Sequence, residues 1–236
     1  KCSLVGSEMC IRDRDIIKGA DVIIWTTTPW TIPANKALAY NVGLKYVLLE
    51  INDNKNFIDR KIVIAKDLLE PFKKDTSIEN IKVLNEFLGK DLKGTICSHP
   101  FSKMGYDYDI PMLEANFVTT EQGTGIVHCA PSHGPDDFNL CLNNNIKAIE
   151  TVDGDGKYTN EIKHFEGLHI FKANNLIIEK LNEQKNLVTN GKLTHSYPHS
   201  WRSKAPLVHR ATPQWFISME SHGLRDKALK AIDNTD

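Results

Sequence analysis

Two stretches of the chain concentrate side chains that can do chemistry. The first is Thr26-Thr27-Thr28-Pro29-Trp30-Thr31-Ile32-Pro33-Ala34-Asn35. Consecutive threonine hydroxyls place several donors and acceptors at one spot. They can cap a turn by bonding the backbone, or they can wall a site for a small substrate and its attacking water. The second stretch is Gly123-Thr124-Gly125-Ile126-Val127-His128-Cys129-Ala130-Pro131-Ser132-His133-Gly134-Pro135-Asp136-Asp137-Phe138. Its side chains allow three chemistries. His128 and His133 could ligate a metal, but they stand five apart across a proline, which is no usual zinc spacing. Cys129 and His133 could form a nucleophile pair, although a cysteine after a β-branched run is more often a buried small hydrophobe. Asp137 could accept from a positively charged ligand group, since an ionised carboxylate is the natural partner of an ammonium.

Two further patterns are weaker. Asp153-Gly154-Asp155-Gly156-Lys157 starts like a calcium loop, but Lys157 takes the fifth position and the glycine falls early. A hairpin-type turn is the better reading. Tyr197-Pro198-His199-Ser200-Trp201-Arg202-Ser203-Lys204 interleaves aromatic and basic residues. That suits either nucleic-acid contact or a junction packed against a neighbouring domain.

The elements that must position these residues follow from the pattern. Asp21–Trp25, Tyr46–Ile51, Lys61–Ala65, Ile81–Leu88 and Thr95–Ile96 read as strands. The prolines of Thr26–Asn35 rule out a regular helix there, which leaves a loop shaped by Pro and hydroxyls. Met112–Thr119 leads to the Gly123-Thr124-Gly125 turn, which feeds a buried strand at Ile126–His128. Asp67–Phe72 begins a short helix that Pro71 would end. Asp136–Asn143 reads as a helix with acid in its first turn. Lys172–Leu181 and His222–Ile232 have helical apolar spacing. Many short strands, few helices and no βαβ alternation predict an α+β, barrel-like domain rather than a doubly wound sheet.

Composition sets outer bounds. The 236 residues are 41% hydrophobic, enough for a sizeable core. Lys+Arg 29 against Asp+Glu 30 gives a net charge of −1, which excludes a chain held to nucleic acid by bulk charge alone. No apolar run approaches the roughly 18 residues of a membrane span, so no membrane partner is expected. Five cysteines without a CxxC pair argue against a disulfide framework and for a reducing compartment. The chain opens at Lys1 without Met and stops just after a helical pattern, so an internal piece of a longer protein is expected. Lys192–Met219 contains no Asp or Glu, and this shift marks a boundary near residue 192.

Trp25–Asn35 (WTTTPWTIPAN) closely resembles the threonine-rich peptide of isoleucyl-tRNA synthetase editing domains, and Gly123–Phe138 resembles their second editing motif. Arg210–Ser218 (RATPQWFIS) is similar to the segment where such chains return to the catalytic domain. His99-Pro100-Phe101 and Phe171-Lys172-Ala173-Asn174 are similar to family positions as well. The valyl and leucyl relatives carry Arg where this chain has Thr28, and they lack the His-x-Ala-Pro-x-His-Gly arrangement.

The resemblance implies double-sieve proofreading. A hydrophobic pocket discriminates one methylene by only about 1–3 kcal/mol, the isoleucine/valine pair being the usual illustration of that limit. A second, smaller site then hydrolyses misattached valine. On this reading Asp137 binds the α-ammonium, His128 narrows the pocket against isoleucine, and Thr27 and Thr28 lie near the scissile ester and the side chain. Asn35, Thr26, Trp30, His133 and Gly125 stand beside the substrate. A positioned water attacks directly, and no metal or other cofactor is implied for this chain, whereas ATP and Mg²⁺ belong to the parent ligase. The implied partners are the acceptor end of tRNA(Ile), the valine it carries and the rest of the synthetase. The implied location is the cytoplasm, with an organelle matrix as the alternative.

Residues 15–194 are expected to form the editing domain. Residues 195–236 would be a poorly anchored connector returning to a Rossmann catalytic domain. Residues 1–14 resemble nothing in the family and look like an assembly artefact. Two rivals remain at this stage: a non-catalytic tRNA-positioning module, and editing of another mischarged tRNA as in the valyl and leucyl relatives.

Overall fold

The computed structural model describes residues 4–12, 17–52, 59–192, 194 and 196–235. The side chains of residues 1–16, Cys2 and Cys10 among them, lie outside the described ones. The strands are β1 (Leu4–Arg12), β2 (Asp21–Thr26), β3 (Ala37–Tyr40), β4 (Lys45–Ile51), β5 (Arg60–Ala65), β6 (Ile81–Leu88), β7 (Ile96–Ser98), β8 (Asp109–Glu114), β9 (Ile126–Cys129) and β10 (Leu187–Asn190). The helices are α1 (Leu69–Thr76), α2 (Pro135–Asn143), α3 (Ile170–Glu183) and α4 (Leu224–Asp233).

The strands pair in the order β6-β4-β5-β2-β1-β7-β8-β3-β9, with β10 also on β1. Most pairs are antiparallel, while β2/β5 and β3/β8 are parallel. This is an α+β arrangement, as the sequence predicts. The path runs open, with no pairing between its ends β6 and β9 among the described residues, so it is not a closed barrel. β1 joins the two halves: Leu4–Met9 pairs β2, and Cys10 and Arg12 pair β7.

β2 is buried on both faces, which explains its continuous apolar run. Val22 and Ile24 join one core with Leu38, Tyr40, Tyr46, Leu48 and Val63. Ile23 points the other way, into a second core with Val47, Leu49, Ile62, Ile64 and Phe72 of α1. Asp21, at the head of β2, is held by Arg60 through two bonds of 2.6 and 2.5 Å. The same guanidinium donates to the Lys185 carbonyl at 2.7 Å, tying the α3–β10 turn to the sheet.

Two expectations change. Thr26–Asn35 is not an open loop: Pro29–Ala34 winds into a 3-10 helix with Pro29 in its first turn. The prolines exclude α-helical bonding, but two short bonds suffice, Thr31 N to Thr28 O at 2.9 Å and Asn35 N to Ile32 O at 3.0 Å. Pro71 does not end α1, which runs on to Thr76. It sits in the first turn, where the missing N–H has no intrahelical acceptor to lose.

Candidate active site

The sheet delivers the threonine segment to the C-terminal end of β2, and a third core grips it from behind. Trp30 and Ile32 pack with Phe101, Tyr158, Phe165 and the inner face of α3. The backbone of the 3-10 helix is bonded by side chains. Trp30 N donates to Asn174 Oδ1 at 3.1 Å, and the Tyr158 hydroxyl donates to Trp30 O at 2.6 Å. His99 Nε2 donates to Ile32 O at 3.0 Å, and the Tyr108 hydroxyl donates to Asn35 O at 3.0 Å. Burial pushes His99 down to about 3, so it is a neutral structural donor.

The second motif is fixed as firmly. Thr124 turns its hydroxyl back to Ile23 O at 2.6 Å, and Ala65 N donates to Thr124 O at 2.8 Å. Gly125 has φ +73°, and a β-carbon there would stand 2.3 Å from the Ala65 β-carbon. Only glycine fits that conformation and that approach. β9 then carries His128 into the site, and α2 begins at Pro135 with Asp137 in its first turn.

These pieces enclose a cleft of about 330 Å³. Thr26, Thr27, Thr28, Gly125, His128, His133 and Asp137 line it, together with Trp25, Thr31, Phe117 and Gln122. Seven of the nine residues that the sequence nominates thus converge. Trp30 and Asn35 do not line the cleft; both are buried behind it. Trp30 backs His133 edge-on, with ring centres 4.7 Å apart and planes at 75°. Asn35 closes the 3-10 helix as its C-cap. Cys129 also stays out of the cleft, in the core with Ala37, Ala39 and Cys141, so the nucleophile-pair alternative loses its geometry. Among the described residues no cluster of metal-ligating side chains forms.

The hydroxyls form a chain. Thr28 N donates to Thr26 Oγ1 at 3.1 Å, and the two hydroxyl oxygens are 3.2 Å apart. Thr31 Oγ1 donates to Thr28 O at 2.8 Å and lies 3.0 Å from His128 Nε2. With its proton committed to that carbonyl, Thr31 must accept, so His128 carries its proton on Nε2. Burial lowers His128 to about 4, leaving it neutral. Thr31, like Trp25, Phe117 and Gln122, lines the cleft without having been nominated from the sequence. Its spacing after Thr28 was visible, but its link across to β9 was not.

Asp137 Oδ2 accepts from Ala130 N at 2.9 Å. Burial raises its pKa to about 6, with the neighbouring Asp136 adding to the rise and the Ala130 amide opposing it. His133 is lowered to about 4 by burial. Near pH 7 the cleft therefore holds two neutral imidazoles, a row of hydroxyls and one carboxylate. Such a site attracts a cation and has no lysine or arginine in its wall to hold an anion.

The mixed sheet that carries this cleft is shared with editing domains of aminoacyl-tRNA synthetases. The family model described as "Leucyl-tRNA synthetase, editing domain" matches residues 41–190, and the chain belongs to that family. By sequence the chain is similar to isoleucine–tRNA ligases. It is 72% identical over 219 residues to that of Pelagibacter ubique (strain HTCC1062), covering 93% of this chain and 24% of the relative. It is 45% identical over 234 residues to that of Gluconobacter oxydans (strain 621H), covering 92% and 24%. The chain thus spans about a quarter of the length of these curated relatives. Among solved structures, GlLeuRS-CP1 matches with TM-score 0.63 and 13% identity over 82% of this chain and 100% of that one. The Plasmodium falciparum (P.falciparum) cytosolic leucyl-tRNA synthetase editing domain matches at 0.61 and 10%, over 81% and 100%. Those low identities speak for the fold.

Proposed function

We propose that the cleft hydrolyses the ester joining valine to tRNA(Ile), with valyl-adenylate as a second substrate. The observation that supports this most is Asp137, the one carboxylate in a cleft of neutral hydroxyls and imidazoles. Its role is to hold the α-ammonium of the aminoacyl group. Thr27 and Thr28 flank the ester, and their hydroxyls, with the terminal ribose, orient a water. That water attacks the ester carbonyl, and the ribose oxygen leaves with a proton. His128 fills the end of the pocket where the extra methylene of isoleucine would go. Thr26, His133 and Gly125 shape the wall. The scheme requires no metal or other cofactor; ATP and Mg²⁺ serve the parent ligase. Partners on this reading are the tRNA acceptor end and the rest of a synthetase chain, in the cytoplasm or an organelle matrix. Among the described residues no helix is long and apolar enough to cross a membrane.

The test is deacylation of Val-tRNA(Ile) beside Ile-tRNA(Ile), with Asp137→Asn as control. Valine release without isoleucine release, lost in the variant, is expected. Hydrolysis of a different mischarged tRNA would favour the valyl or leucyl type of specificity, against which Thr28 and His128 stand. No hydrolysis by a folded chain that still binds tRNA would favour a positioning module.

A further inference from the structure

His133 faces two ways. Its ring lines the cleft, yet both ring nitrogens are engaged outside it. Nδ1 lies 3.0 Å from the His209 carbonyl, which can only accept, so Nδ1 carries the proton. Nε2 lies 2.7 Å from the buried Thr151 hydroxyl. With the ring neutral, Nε2 accepts and Thr151 donates.

His209 belongs to a strap laid along the motif. Ala211 N donates to Ser132 O at 2.9 Å, and Val208 packs against the core behind Trp30. Arg210 donates to Glu150 at 2.9 Å and to the Val152 carbonyl at 3.3 Å. Beyond it Trp215, Phe216 and Ile217 are exposed, and no residue of α4 is buried. The strap thus bonds the body at Ser132, His133, Glu150 and Val152, and of these His133 is the residue that lines the cleft.

We propose that the 208–211 strap and Thr151 act as positioning elements for the cleft, holding the His133 imidazole as its Nδ1–H tautomer and thereby setting the wall beside Asp137. Undocking the strap removes the acceptor for Nδ1–H, and the ring no longer has one orientation that satisfies both nitrogens. The inference rests on the hydrolytic reading for its consequence, but its geometry can be tested without that reading.

The test uses the full chain and the nitrogen-15 signature of the His133 ring, which reports the tautomer directly. Arg210→Ala combined with Ala211→Pro removes two anchors of the strap. The expected result is loss of the pure Nδ1–H signature. Thr151→Val shifts the signature as well, and Thr151→Ser restores it. Where the chain hydrolyses Val-tRNA(Ile), Thr151→Val lowers kcat about five- to ten-fold, the scale of one lost hydrogen bond, and Thr151→Ser stays within about two-fold. An unchanged His133 signature in the Arg210/Ala211 variant overturns the proposal. Absence of hydrolysis with the signatures behaving as stated counts against the proposed reaction alone.

Discussion

At the residue scale the decisive group is a carboxylate that burial disfavours. An ordinary aspartate ionises near 3.8, and Asp137 does so at about 6. The folded chain therefore holds this proton more tightly than the unfolded chain does. The contribution to stability is fully present below about pH 4 and is lost as pH rises through about 6. The proposed reaction needs the opposite, the charged form. Asp137→Asn keeps an oxygen for the Ala130 amide and removes the charge. We expect a thermal midpoint at pH 7.5 equal to or above that of the unaltered chain, with valine release abolished. A clearly lower midpoint would show that the charge stabilises the fold. In the unaltered chain kcat/KM should fall about ten-fold per pH unit below about 6, because that ratio reports the free site. The kcat profile should fall at lower pH, since a bound ammonium favours the ionised carboxylate. A second residue tests the sieve. His128→Ala deletes a ring that lines the cleft, and on the proposed reading release of isoleucine from Ile-tRNA(Ile) should rise from near zero towards that of valine. Continued discrimination would move the sieve to another wall residue.

At the scale of elements, the cleft depends on the Gly123–Gly125 turn, which leads into β9 and is bonded through Thr124 to Ile23 of β2 and Ala65 of β5. Gly123 and Gly125 both have positive φ, but their surroundings differ. A β-carbon on Gly123 meets Trp25 at 3.4 Å, an ordinary contact, whereas one on Gly125 meets Ala65 at 2.3 Å. Gly123→Ala should cost about 1–2 kcal/mol, the left-handed penalty alone. Gly125→Ala adds overpacking and should cost roughly 2–5 kcal/mol in urea unfolding. Equal costs would mean that β5 yields easily. The same scale explains what was legible beforehand. β2, β4, β5, β6 and α3 announce themselves through apolar period or β-branched runs. β3 does not: its Ala37-Leu38-Ala39-Tyr40 is short, and two alanines carry little strand preference. It is a strand because β8 and β9 pair on either side. The start of β8 is hidden by Pro111, which reads as a breaker although it sits within the paired strand. The site was legible as residue types in two motifs. Which of them face the cleft was not, because the turn of the 3-10 helix sends Thr31 inward and Trp30 and Asn35 behind the wall.

For the whole molecule, a packed body is followed by a segment that bonds to it along residues 208–211 and then runs exposed. Val208–Ala211 is bonded and packed as described above. Beyond Ala211, Trp215 is 101% exposed, Phe216 89% and Ile217 77%, and before the strap Trp201 stands out at 84%. On α4, Leu224, Leu229 and Ile232 are exposed as well. Apolar surface of this kind contributes nothing to the stability of the body and favours association. A net charge of −1 supplies little repulsion against it. Replacing Trp215, Phe216 and Ile217 together by serine should therefore leave the unfolding free energy of the body within about 0.5 kcal/mol, as for surface changes generally. Light scattering should meanwhile show less self-association at a given concentration. The Ala211 amide should keep its protection from hydrogen exchange, because the strap ends before the altered residues. A loss of body stability would show that the three side chains pack where they stand exposed here. Loss of Ala211 protection alone would show that the far connector pulls on the strap, and through His133 on the cleft.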